Sequence, residues 1–114
     1  MKIPAFVLSA LLLSALLLAA PIAASESRTF TGVIGDSMCV RDHAPMKIAP
    51  DDKCVRDCVS HSKDVKYILL TQDKHYVLSD QAAPERLAGR KVVVKGVLYE
   101  KTGIIKVESI EAAK

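Results

Sequence analysis

The fold is decided by the stretch RKVVVKGVLYEKTGIIKVESIE, which runs from Arg90 to Glu111. Both halves are rich in β-branched residues, and the turn sequence Lys101-Thr102-Gly103 separates them, so we predict two strands joined as a hairpin. In the first half, apolar positions alternate with lysines, as they do in a strand with one buried face. Gly96 stands in the middle of that strand and predicts a bulge or a sharp bend, as at the corner of a barrel.

Three more strands are predicted upstream of this hairpin. RTFTGVI (Arg28–Ile34) is the first and is expected to end at Gly35-Asp36, while Val65–Thr71 and His75–Ser79 form a second hairpin. A short helical turn, Ala83–Gly89, precedes the fourth strand. Five strands with a helix before the fourth predict a mainly β fold with one or two short helices, a small five-stranded OB-like barrel. An open five-stranded sheet with the helix packed on one face is the alternative.

The N-terminus has the layout of a secretory signal peptide. Lys2 is followed by an almost wholly apolar run to Ala20 and then by small residues at Ala23, Ala24 and Ser25. We therefore predict a signal peptide at 1–24, a single domain at 25–114, and a secreted or periplasmic protein with no stable membrane anchor after cleavage. An uncleaved anchor is the alternative, because the apolar run is nearly long enough to span a bilayer.

Composition limits the classes of function. Cleavage after Ala24 would leave 15 Lys and Arg against 13 Asp and Glu, a formal charge of +2. So small an excess argues against a nucleic-acid partner on charge alone. A domain of about 90 residues has a modest core and often gains stability from a disulfide or a metal.

A cluster of soft ligands lies in the predicted insert at 36–62. Cys39-x3-His43 is followed by Cys54-x3-Cys58, and these are the 3 cysteines of the chain. The segment after Asp51 predicts a short helix, which places Cys54, Cys58 and His61 on one face. Zinc and Cu(I) prefer thiolate and imidazole ligands, so these residues predict a Cys3His site for Zn or Cu, with His61 as a possible substitute for His43.

A disulfide is the alternative use of the same residues. In an oxidising compartment Cys39 would pair with Cys54 or Cys58 and leave one thiol, which could link two copies into a homodimer. A bond between Cys54 and Cys58 is disfavoured because its geometry strains the helix. A thiol redox protein is a further alternative, since Cys54 lies near a helix start beside Lys53.

Other residues carry weaker signals. Asp36 is expected to cap the turn before Cys39, and His75 to be solvated at a strand end. Lys91, Lys95 and Tyr99 share one strand face, which allows an OB-type oligonucleotide or oligosaccharide binder as another alternative. The chain shows no Ser-His-Asp set, glycine-rich phosphate loop or paired catalytic carboxylates, so we predict a binding or structural module and no enzyme.

The chain also resembles a known family. TGVIGDSMC, a following His, the Cys-x3-Cys helix, YILL, HYVLSD and LAGRKVVVKGVL are similar to motifs of small secreted bacterial proteins catalogued as a domain of unknown function. The resemblance runs from about Thr29 to Glu111 and implies an OB-like barrel and export, but no activity. Val40 stands where the family usually has Gly after the first cysteine.

Overall fold

The computed structural model describes residues 26–42 and 51–114. The predicted signal peptide at 1–24 and the predicted ligand His43 lie outside these ranges. The elements, in chain order, are β1 (Arg28–Asp36), α1 (Asp51–His61), β2 (Tyr67–Leu70), β3 (His75–Leu78), α2 (Ala83–Arg86), β4 (Lys91–Tyr99) and β5 (Ile104–Ala112).

The five strands close into a barrel in the order β1-β2-β3-β5-β4, with β4 returning to β1. Every neighbouring pair is antiparallel except β3 and β5, which run parallel where Val77 and Leu78 face Ile104 and Ile105. This five-stranded closure confirms the predicted OB-like barrel and excludes the open sheet. Neither helix in the described part of the chain is long and apolar enough to cross a membrane.

One apolar cluster fills the barrel and reaches into α1. Alternate residues of the strands supply most of it, because successive side chains of a strand point to opposite faces. Val55 of α1, only 1% exposed, belongs to the same cluster. The helix is therefore packed on the barrel core and held in place by it. The buried members are Ile34, Val55, Tyr67, Leu69, Leu78, Ala88, Val92, Val94 and Ile105.

The first strand is longer than predicted. Gly35 and Asp36 do not end β1 but continue it, pairing with Ile68 and Tyr67 of β2. Glycine suits this position because the Leu70 side chain lies close to it: a Cβ on residue 35 would lie 2.7 Å from Cδ1 of Leu70. The extension matters because it carries the chain to the place where the cysteines meet.

The remaining strand predictions hold with small shifts of their ends. The register of β4 against β5 shifts between Lys95 and Gly96, which confirms the predicted bulge. Gly89 lies between α2 and β4 at a φ of 73°, a conformation that suits glycine. A Cβ there would lie 2.9 Å from the Cα of Asp52, so this turn also fits tightly against the start of α1.

Candidate metal centre

The first cysteine is held by a turn that Asp36 organises. Asp36 is the last residue of β1 and is fully buried. Its Oδ1 accepts hydrogen bonds from the backbone N–H groups of Met38 at 3.0 Å and Cys39 at 2.8 Å. The backbone N–H of Val40 donates to the Asp36 carbonyl at 3.0 Å. The predicted capping role of Asp36 is confirmed, and it fixes the backbone of Cys39.

Val40 adopts a left-handed conformation, with a φ of 55°. It is the one residue other than glycine with a positive φ in the described ranges. A β-branched side chain is costly in that region of φ, where glycine carries no penalty. The glycine expected at this position from the family resemblance would fit this turn without strain, and the chain keeps the turn despite the valine.

The same turn is tied to the β2–β3 hairpin by Arg41. Its Nη2 donates to the carbonyl oxygens of Thr71 at 2.7 Å and Lys74 at 3.1 Å. Sequence reasoning missed this contact, because a lone arginine after a cysteine gives no signal for a partner about 30 residues away. The cysteine-bearing turn is thus fastened at both ends, by Asp36 and by Arg41.

The other two cysteines lie on the buried face of α1. Cys54 is 0% exposed and Cys58 is 1% exposed, one helical turn further along. The i, i+4 spacing points both side chains to the same side, as predicted. On the outer side, Arg56 binds Asp52 at 2.8 Å and donates from Nε to the Glu85 carbonyl at 3.0 Å, which joins α1 to α2.

The three sulfur atoms converge. All three Sγ atoms lie within 4.8 Å of one another, and those of Cys39 and Cys58 are 4.0 Å apart. Tetrahedral zinc, with Zn–S bonds of about 2.3 Å, separates its sulfur ligands by about 3.8 Å. The three cysteines are therefore close enough to hold a metal ion. All are free thiols in the structure.

Burial keeps the two helical thiols protonated. It raises the pKa of Cys54, and it raises the pKa of Cys58 to about 12, with the negative charge of Asp36 as a further cause. The neighbouring cationic side chains do not overcome burial at Cys54. This is the opposite of the lowered pKa that a reactive cysteine requires, so the interpretation of Cys54 as a redox nucleophile is not supported.

One of the comparisons with known proteins gives a match. Residues 59–113 match the model of a family described as a protein of unknown function (DUF5818). The match begins one residue after Cys58 and covers β2 through β5, so it includes four of the five barrel strands but neither β1 nor any of the three cysteines. The chain matches no curated protein and no solved structure. The matched family thus gives no function, and the match does not reach the cysteine cluster.

The other predicted site residues fall outside the cluster. His61 ends α1 with an exposed side chain and is not among the groups that meet the three sulfurs. His75 is exposed at the start of β3, as predicted. Lys91, Lys95 and Tyr99 are exposed on β4. The metal-binding role of His43, which lies outside the described residues, stays a prediction.

Proposed function

We propose that this chain is an exported metal-binding module that holds Zn²⁺ or Cu(I) through Cys39, Cys54 and Cys58, with His43 as the fourth ligand. The observation that carries the proposal is the convergence of three sulfur atoms within 4.8 Å of one another. They come from two consecutive elements, the turn after β1 and the helix α1, and Cys39 precedes Cys54 by 15 residues.

Burial by itself would not distinguish this cluster, because single buried cysteines commonly act as small apolar residues. Three of them with their sulfurs facing one another form the donor set that soft metal ions prefer. A bound metal ion would place a positive charge next to these buried thiols. It would deprotonate them despite their raised pKa values, as metals do when they bind cysteine.

The donor set favours Zn²⁺ or a soft ion such as Cu(I) over hard cations. Three thiolates and one neutral imidazole around Zn²⁺ carry a net charge of −1, a common state for structural zinc sites. Thiolates are poor ligands for Ca²⁺ or Mg²⁺, which take oxygen donors. His43 is proposed as the fourth ligand because it follows Cys39 by four residues, and His61 is the substitute to be tested.

Export is part of the proposal and rests on the N-terminal sequence. The charged, apolar and small-residue order at 1–24 is that of a secretory signal. In an oxidising compartment an unprotected trio of thiols would be prone to oxidation. A bound metal would protect all three at once, which accounts for an odd number of cysteines in an exported protein.

Native mass spectrometry of the purified protein tests the proposal. We expect one added metal mass per chain after purification without chelator or after addition of Zn²⁺ or Cu(I). Cys54→Ser should abolish it, and His43→Ala should weaken binding measured against a competing chelator. His75→Ala is the matched control, because that histidine is exposed at the start of β3 and is not among the groups that meet the sulfurs.

Separate outcomes would change the proposal in separate ways. If His61→Ala weakens binding and His43→Ala does not, the fourth ligand is His61. If the wild-type protein takes up neither Zn²⁺ nor Cu(I) while all three thiols are reduced, the metal-binding function is wrong.

A further inference from the structure

We propose that the same cluster is a redox switch: when it holds no metal, Cys39 and Cys58 form a reversible disulfide, and Cys54 is left as a buried thiol. This inference deepens the proposed metal-binding function, because oxidation would remove two of the three sulfur ligands and so release the metal. The metal-free reaction itself does not depend on that function.

The distances favour this pair of cysteines. The Sγ atoms of Cys39 and Cys58 lie 4.0 Å apart, in contact and without a bond. A disulfide brings two sulfurs to about 2.05 Å, a change that side-chain rotation and a small movement of the turn can supply. Cys54 and Cys58 are one turn apart on a single helix, where a bond would strain the backbone.

Exposure decides which thiol reacts first. Cys39 is half-buried on a turn, whereas Cys54 and Cys58 are 0% and 1% exposed on the inner face of α1. A soluble oxidant therefore reaches Cys39 first. The second step is intramolecular. The Cys58 sulfur lies 4.0 Å from that of Cys39 and the Cys54 sulfur lies within 4.8 Å of it, and Cys58 is the partner that we propose.

The chemistry is a two-step thiol–disulfide exchange with a small-molecule disulfide, such as oxidised glutathione, as the oxidant. The Cys39 thiolate attacks one sulfur of the oxidant, breaks its S–S bond and releases one thiolate. The Cys58 thiolate then attacks the Cys39 sulfur of the mixed disulfide and releases the second thiolate. The two protein thiols lose two electrons and the oxidant gains them. The two protons from Cys39 and Cys58 end on the two released thiols.

The position of the bond would have a structural consequence. It would join the turn after β1 to α1 across 19 positions of sequence, between sulfurs that are already in contact. The oxidised protein is therefore expected to keep its fold. Reduction by a dithiol would restore three thiols and with them the metal site.

The experiment uses the chelator-treated, reduced protein exposed to oxidised glutathione. Intact mass should fall by two hydrogens, and peptide mapping should join Cys39 to Cys58. Cys54 should react with an alkylating reagent only after denaturation. Cys54→Ser should give the same disulfide, whereas Cys58→Ser should stop at a glutathione adduct on Cys39.

A Cys39–Cys54 linkage, or a stable glutathione adduct in the wild-type protein, would overturn the inference. Because these measurements are made on wild-type protein without metal, they stand even if a variant fails to fold.

In a second arm, protein preloaded with Zn²⁺ should oxidise at least tenfold more slowly and release Zn²⁺ to a colorimetric chelator as it does so. Equal rates with and without bound Zn²⁺ would disprove the coupling to metal, whereas failure to load Zn²⁺ at all would count against the proposed function and not against the disulfide.

Discussion

Asp36 fixes Cys39 through a hydrogen bond of 2.8 Å from the Cys39 backbone N–H to its Oδ1 atom. The same carboxylate is fully buried, and its charge helps to raise the pKa of Cys58 on the facing helix. One side chain therefore shapes the turn that carries the first cysteine and disfavours thiolate formation in the cluster. These two effects can be separated by substitution.

Asp36→Asn should keep the turn and change the thiols. Asparagine retains an oxygen acceptor for the backbone N–H groups but carries no charge, so the pKa of Cys58 should fall. Ultraviolet absorbance of the thiolate, followed against pH in the metal-free protein, measures this. Asp36→Ala should also lose both hydrogen bonds and destabilise the fold by about 1.5–3 kcal/mol. A Cys58 pKa that is unchanged in the asparagine variant would contradict the electrostatic role.

Val40→Gly should stabilise the protein. The φ of 55° at Val40 costs an L-residue about 1–2 kcal/mol, which glycine avoids, although glycine loses more backbone entropy on folding. We expect a net gain of about 0.5–1 kcal/mol in the free energy of unfolding by urea. Val93→Gly, on β4, is the matched control and should be destabilising. A loss of stability in Val40→Gly would mean that contacts of the valine side chain outweigh the strain.

The metal-free, reduced protein should lose stability at alkaline pH. Burial is the main cause that raises the pKa of Cys54 and Cys58 in the folded state above the ordinary value of 9.0. As pH rises, the unfolded chain releases these protons first, so it binds fewer protons than the folded chain and the free energy of unfolding falls. The full stability is present below about pH 9 and is lost progressively toward about pH 12.

Urea unfolding at about pH 8 and about pH 10 tests this sign. Cys58→Ser should lessen the fall, because it removes the more strongly shifted of the two thiols. Bound Zn²⁺ should lessen it as well, since coordinated thiolates have already lost their protons. Equal stability of the metal-free wild type at the two pH values would show that the thiols are not buried as described.

The barrel was predictable from sequence because its signals are local. Alternating apolar residues, the turn at Lys101-Thr102-Gly103 and the glycine bulge at Gly96 each act within a few residues. The predicted end of β1 is wrong because the pair Gly35-Asp36 is typical of the turn that follows a strand. Gly35 stays in the strand because it pairs with Ile68 of β2, and the Leu70 side chain of that strand lies where a Cβ would be.

Half of the site was predictable for the same reason. Once a helix is predicted, the i, i+4 spacing of Cys54 and Cys58 places both side chains on the same face of it. That Cys39 reaches them, and that Arg41 binds carbonyls of the β2–β3 hairpin, depends on how distant segments pack. The left-handed φ of Val40 was also hidden, since valine is among the residues least expected to adopt it.

Val55 is expected to position the cysteines through the packing of α1. It is 1% exposed, belongs to the barrel core, and lies directly between Cys54 and Arg56 in sequence. Val55→Ala should lower the free energy of unfolding by about 2 kcal/mol through lost burial and a residual cavity.

The same substitution should also weaken metal binding, because a loosened helix holds its two sulfurs less firmly against Cys39. Val94→Ala removes the same atoms from the same core, but on β4, which carries none of the cysteines, and it serves as the matched control. If both variants lose similar stability but only Val55→Ala loses metal affinity against a competing chelator, docking of α1 organises the site. Equal loss of affinity in the two variants would mean that the cluster depends on overall stability alone.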